Sequence, residues 1–278
     1  MRFVDRLKQA AVGNQSRLCV GLDPVAERID GGLVAWGREL IAATSDLVCC
    51  YKPNSGFYEG FGLRGWEALR ETIALVPPTI PVVLDAKRGD IGSTAEAYAR
   101  AAFEILGAAA VTVSPYLGGD TLEPFLEYED RAVFVLCRTS NPGAGEFQDL
   151  PIAPAGGTDD VRPLYEFVAE RCRTWNRDGN VGLVAGATYP GDIARIRAIC
   201  PEQVLLVPGV GTQGGDLDAS VAAARDSTGG GFMINASRQV IYASPGPNFA
   251  SVAREAASEL RGQIEAARLR EARPDHGS

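Results

Sequence analysis

The stretch Pro81-Val82-Val83-Leu84-Asp85-Ala86-Lys87-Arg88-Gly89-Asp90 begins as an unbroken apolar run and ends in charge. A strand in a buried parallel sheet reads this way, because helices cover one of its faces and the interior packs against the other. Residues i and i+2 of a strand share a face, so Asp85 and Lys87 aim together beyond its C-terminal end. Charge at the end of a buried strand is costly unless it is paired or used.

Outward from this run, short segments rich in Val, Leu and Ile recur in alternation with longer segments of helical periodicity. The strand candidates are 18–22, 47–51, 81–86, 110–114, 132–137, 181–185, 204–207 and 231–235. Helix candidates lie at about 33–46, 61–76, 92–107, 120–129, 161–178, 191–199, 215–225 and 248–268. Eight such units predict a TIM (β/α)8 barrel, and 278 residues sit close to the ~250 typical of that fold. An open doubly wound sheet is the alternative, but Gly21-Leu22-Asp23-Pro24 after the first strand carries no GxGxxG. No compositional break marks a linker, so residues 1–278 are expected to form a single domain, with a flexible C-terminal tail from about 264. The longest irregular stretch, 139–160, is rich in Gly, Pro and Asp and follows the fifth strand. Loops of that length are uncommon unless functional or disordered.

Composition narrows the function. Hydrophobic residues make up 46% and charged residues 22%, with a mean hydropathy of -0.02. A net charge of -8 disfavours a polyanion such as nucleic acid, although a small phosphorylated ligand needs only a local cluster of donors. The opening residues lack the apolar stretch of a secretory signal and no run is long enough to span a membrane, so a cytoplasmic location is expected. Most of the six cysteines fall in apolar strand-like runs with no CxxC, which predicts buried, reduced thiols. The only histidine, His276, lies in the polar tail, so chemistry requiring a core histidine is ruled out.

Catalytic groups of a (β/α)8 barrel project from the C-terminal ends of its strands. Here the first strand ends in Asp23, the second in Lys52, the third in Asp85, Lys87 and Asp90, the fifth in Arg138-Thr139-Ser140-Asn141 and the eighth in Asn235-Ala236-Ser237-Arg238. Taken singly, Asp23 before Pro24 reads as a turn residue and Lys52 before Pro53 as a solvated loop lysine. Their coincidence on one rim points to a site. The glycines of 208–216, after the seventh strand, would let backbone N–H groups approach an anion, and Arg238 beside them offers a fixed cation. Loops after strands seven and eight are the recurrent phosphate site of this fold.

The run Leu84-Asp85-Ala86-Lys87-Arg88-Gly89-Asp90-Ile91-Gly92-Ser93-Thr94 resembles the D-x-K-x-x-D-I-x-x-T signature of the orotidine 5′-phosphate decarboxylases, in particular their longer bacterial subgroup (type 2). Supporting segments are 19–24, 51–54, 136–143 and the loops after strands seven and eight, so the resemblance covers about residues 18 to 240. It implies loss of CO2 from C6 of orotidine 5′-phosphate to give uridine 5′-phosphate in pyrimidine synthesis, without metal or organic cofactor. It also implies roles. Lys87 is the cation beside C6 and the proton donor, Asp85 adjoins the departing carboxylate, and Lys52 and Asp23 complete the charge array and bind ribose hydroxyls. Asp90 and Thr94 reach across a homodimer interface into the partner's site. Thr139 or Ser140 meets the pyrimidine edge, Gln213 bridges pyrimidine and phosphate, and Arg238 clamps the phosphate with backbone donors near Gly211 and Ser237, beside Pro208. Relatives that share D-x-K-x-x-D, such as 3-keto-L-gulonate 6-phosphate decarboxylase, hold a divalent metal with acidic ligands, whereas Lys52 stands where such an acid is expected. A catalytically dead phosphosugar-binding or nucleotide-binding barrel is the reading from another class.

Overall fold

The computed structural model describes residues 1–29, 31–153, 161–210 and 216–270. Its eight long-range strands are Leu18–Gly21, Cys50–Lys52, Val83–Arg88, Ala110–Val113, Ala132–Arg138, Val181–Ala185, Leu205–Pro208 and Phe232–Ala236. Numbered first to eighth along the chain, they pair in parallel in the order 2-1-8-7-6-5-4-3. The bridges Tyr51↔Val82 and Asn54↔Asp85 join the second strand to the third and close the barrel. All eight expected strands are present, and the largest shift is in the second, where pairing begins at Cys50 and runs through Lys52.

Alternation along the strands separates two apolar layers. Cys19, Cys50, Val83, Ala110, Phe134, Val184, Leu206 and Met233 pack together inside the barrel. Their neighbours Val20, Tyr51, Leu84, Val111, Val133, Leu183, Val207 and Ile234 face the surrounding helices. Near the N-terminal ends of the strands, Phe3 and Leu7 of the helix Phe3–Gly13 join the interior cluster, with Phe3 edge-on to Phe134 at a centroid distance of 5.6 Å. Burying each of these side chains contributes about 1.5–3 kcal/mol. This helix was not among the sequence candidates, although Phe3, Leu7, Ala10 and Ala11 have the i, i+4, i+7, i+8 spacing of one buried face.

The helix expected over 92–107 is α-helical from Gly92 to Arg100 and continues as a π turn over Ala101–Ile105. That expected over 120–129 is reduced to a 3-10 turn, Gly119–Thr121, and the single turn Glu123–Leu126, where Pro124 occupies the first turn. The stretch after the fifth strand contains the helix Gly145–Gln148 and a two-residue antiparallel ladder between Pro151–Ile152 and Arg162–Pro163. The tail expected from about 264 is helical as far as Leu269, and residues 271–278 lie outside the described residues. The last helix runs from Phe249 to Leu269 and buries Ile264 and Ala267, so residues 264–269 belong to the helical layer. All six cysteines are buried free thiols, and no described helix is long and apolar enough to cross a membrane.

Candidate active site

Above the interior apolar layer, the same inward positions become polar. Asp23, Lys52, Asp85, Thr112 and Asn235 are all at most 8% exposed. Asp85 lies at the centre. Its Oδ2 accepts from Lys52 Nζ at 2.7 Å and from Asn54 Nδ2 at 3.3 Å. Its Oδ1 accepts from Lys87 Nζ at 2.6 Å and from Thr112 Oγ1 at 3.0 Å. Asp23 stands on the other side of Asn54: Oδ1 accepts the Asn54 amide at 3.1 Å, and Oδ2 accepts the Ser237 hydroxyl at 2.6 Å. Two carboxylates and two ammonium groups thus form a locally neutral set, without which burial of the individual charges would cost several kcal/mol each.

The local sequence explains these placements. Pro53 has no N–H, and its carbonyl accepts the Asp85 amide at 2.9 Å across the closing seam. Asn54 then caps the short helix Ser55–Glu59 by accepting the Gly56 amide, which leaves its Nδ2 for Asp85. In the third strand, Leu84 pairs with Val111 and Arg88 with Val113, so Asp85, Ala86 and Lys87 together face the single residue Thr112. The bulge is accommodated at Lys87, whose φ of 48° is left-handed. A non-glycine residue there costs roughly 1–2 kcal/mol. Lys87 therefore reaches Asp85 through a bent backbone, and simple strand alternation does not account for the contact.

Electrostatics follow from the contacts. Burial alone would push the Asp85 carboxyl up, but the Lys52 and Lys87 ammonium groups outweigh it and hold Asp85 well below the usual carboxylate range. Burial likewise opposes the Lys52 ammonium, while Asp85 and Asp23 more than compensate and hold it above the ordinary lysine value. Asp85 is therefore an anion and Lys52 a cation at neutral pH. Lys87 differs in its access: its side chain is 49% exposed, against 6% for Lys52, so it is the cation of the pair open to a ligand entering the mouth.

The chain matches the model of the orotidine 5′-phosphate decarboxylase / HUMPS family over residues 16–253. It is 53% identical to the orotidine 5′-phosphate decarboxylase of Roseiflexus castenholzii over 96% of this chain and 98% of that one. It is 52% identical to the enzyme of the same name from Thermomicrobium roseum over 95% of each. The chain belongs to the orotidine 5′-phosphate decarboxylase family. Among solved structures it resembles the OMP decarboxylase of Leishmania donovani with a TM-score of 0.86 and 46% identity, covering 97% of this chain and all of that one.

Against that family's signature, the structure brings Asp23, Lys52, Asp85 and Lys87 into one array and leaves Asp90 and Thr94 outside it. Asp90 accepts its neighbour Ile91's amide, while Ile91 and Thr94 are exposed. Pro208 ends the seventh strand beside Asn235, and its carbonyl accepts the Ala187 amide at 2.8 Å. Arg238 is exposed at the start of the turn Arg238–Ile241, directly after Ser237. The Ser237 hydroxyl is committed to Asp23, so any anion contact from this residue falls to its backbone. Gly211 and Gln213 lie outside the described residues.

Arg138 corrects the reading of charged strand ends. Leu136 pairs with Val184 and Arg138 with Ala185, a bulge that turns Arg138 to the helix side. There it is paired with Asp149 and Asp192 and lies over Tyr189 at 4.1 Å, so it braces the loop base and does not join the array. Thr139 is similarly engaged. Its amide and hydroxyl are both held by Gln148, and its own proton goes to Asn141. Ser140 is partly exposed, and Gly186 packs against it so closely that an added Cβ would lie 2.9 Å from the Ser140 amide.

Asn54, Thr112 and Gln148 were given no role in the sequence reading. Thr112 had a legible signal, since it sits two positions after the interior residue Ala110 where another apolar residue is expected. Gln148 had none, because its partner lies nine positions away across a loop of irregular shape.

Proposed function

We propose that this protein removes CO2 from C6 of orotidine 5′-phosphate to give uridine 5′-phosphate, in the manner of the relatives that carry that name. The observation that carries the proposal is the Lys52–Asp85–Lys87 array at the mouth of the barrel, with Lys87 its accessible cation. The C6–carboxylate bond breaks, its electron pair stays on C6, and CO2 departs. Lys87 Nζ stabilises the developing carbanion and then transfers a proton to C6. Asp85, bound by two ammonium groups, keeps Lys87 in place and adjoins the departing carboxylate. Ribose hydroxyls meet Asp23 and Lys52, and the Ser140 hydroxyl, which has no partner among the described residues whereas that of Thr139 is engaged, meets the pyrimidine edge. Arg238 takes the phosphate together with the backbone of the loops after strands seven and eight. Binding at this remote group is available to hold the reacting carbon over Lys87.

The donor set favours this chemistry over that of the metal-using decarboxylases of sugar phosphates. Both oxygens of Asp85 already accept from ammonium groups, and a lysine occupies the position where an acidic ligand is expected. Incubation with saturating orotidine 5′-phosphate tests the proposal: uridine 5′-phosphate is expected, and its absence would remove the activity from this chain.

The active site belongs to a homodimer, with Asp90 and Thr94 donated to the neighbouring barrel. Support comes from their position off the array and from Ile91, Tyr116 and Leu117, which stand 63%, 84% and 48% exposed on the loops after strands three and four. Those loops leave adjacent strand ends, where the Ser114 amide donates to the Arg88 carbonyl at 2.7 Å. Randomly reassorted Lys87→Ala and Asp90→Asn dimers are expected to regain up to about a quarter of native activity, from one intact site in half the dimers. No recovery after demonstrated subunit exchange would place Asp90 in its own barrel.

A further inference from the structure

Among the groups touching Asp85, the Thr112 hydroxyl alone also holds the backbone of Lys87. Thr112 Oγ1 accepts the Lys87 amide at 2.9 Å and donates to Asp85 Oδ1 at 3.0 Å. The direction of both bonds is fixed. The amide can only donate, so the one proton of the hydroxyl is left for the carboxylate oxygen that also receives Lys87 Nζ. The Lys87 amide and the carboxylate oxygen that receives its Nζ thus meet on a single side chain that is 1% exposed.

The need for this side chain arises from the bulge. With Asp85, Ala86 and Lys87 all opposite one residue, regular ladder bonding is interrupted between the pairs Leu84↔Val111 and Arg88↔Val113. A backbone N–H must still be satisfied, and for Lys87 the acceptor is a side-chain oxygen. Beyond the lysine, the chain is pinned again: the Arg88 carbonyl accepts the Ser114 amide at 2.7 Å, Arg88 Nη2 pairs with Glu59 Oε1 at 3.1 Å, and its guanidinium lies 4.9 Å from the Tyr98 ring centre. Lys87 is the left-handed residue between these fixed points.

We propose that Thr112 is a positioning residue for the decarboxylation assigned above, holding Lys87 in its left-handed conformation and in register with Asp85. It does not touch the substrate. Because it acts only on the pose of Lys87, its loss lowers kcat and leaves ground-state binding through the phosphate and ribose intact.

Thr112→Val keeps the shape and removes both hydrogen bonds, and Thr112→Ser keeps the hydroxyl. Loss of hydrogen bonds to a charged group of this kind lowers kcat about 10- to 100-fold. For Thr112→Val the account expects that fall, with the dissociation constant of uridine 5′-phosphate changed less than about threefold because the product's binding contacts are untouched. Thr112→Ser is expected to retain kcat close to native. Native kcat in Thr112→Val, or equal impairment of Thr112→Ser, overturns the assignment. If neither Thr112→Val nor Thr112→Ala folds, the hydroxyl holds the barrel and not the lysine, and the assignment is again overturned. Failure of the native protein itself to form uridine 5′-phosphate would count against the decarboxylase proposal; Thr112 would then have no decarboxylation to serve.

Discussion

Lys87→Ala abolishes turnover while the protein still folds. The side chain is the exposed member of the array, 49% accessible, so its removal opens no cavity in the barrel interior. Asp85 keeps Lys52, Asn54 and Thr112 as donors and is not left as an unpaired buried anion. The chemistry loses two things together. A positioned proton donor contributes about 10²–10⁴-fold, and a single preorganised group facing developing charge is worth about 10²–10³-fold. These need not multiply fully, since one side chain supplies both, but kcat should fall by about 10⁴-fold or more. Urea unfolding beside the steady-state assay checks both halves of the prediction. Near-native kcat would remove Lys87 from the reaction, and loss of cooperative unfolding would make it a structural residue.

Arg238→Ala fails differently. Arg238 is exposed at the start of a short turn and its side chain has no hydrogen-bond or ion-pair partner among the described residues, so truncating it should leave stability within about 0.5 kcal/mol. A bidentate arginine–phosphate contact carries two charge-assisted hydrogen bonds of about 1.5–3 kcal/mol each, which corresponds to about 10²–10⁴-fold in kcat/KM. Substrate lacking the phosphate should be indifferent to the substitution, because the contact is already absent. Unchanged kcat/KM with the full substrate would show that the phosphate sits elsewhere.

The barrel was readable because its strands are short, apolar and buried on both faces, so composition alone marks them. Lys52, Asp85 and Lys87 were readable because charge is conspicuous at the ends of such runs. What alternation could not supply was the bulges. A strand of strict period two would send Arg138 inward and Lys87 along the strand, whereas an irregular register turns Arg138 onto Tyr165 and Tyr189 and sets Lys87 in a left-handed bend. Such shifts depend on pairing with a neighbouring strand, which no single segment encodes. Thr112 and Asn54 were missed for a related reason. Each is a small neutral side chain whose importance comes from standing beside Asp85, 27 and 31 positions away in the chain. The helix Phe3–Gly13 was not legible from the alternation of strands and helices, because it precedes the first strand and belongs to no βα unit.

In the proposed reaction the lysine–aspartate–lysine array itself performs the decarboxylation. The most direct measurement is the conversion of orotidine 5′-phosphate by the native protein after exhaustive treatment with EDTA, followed through pyrimidine absorbance and released CO2. Equimolar uridine 5′-phosphate and CO2 are expected, at a rate the chelator does not change. No product under saturating substrate, or product only when magnesium is restored, would contradict the account.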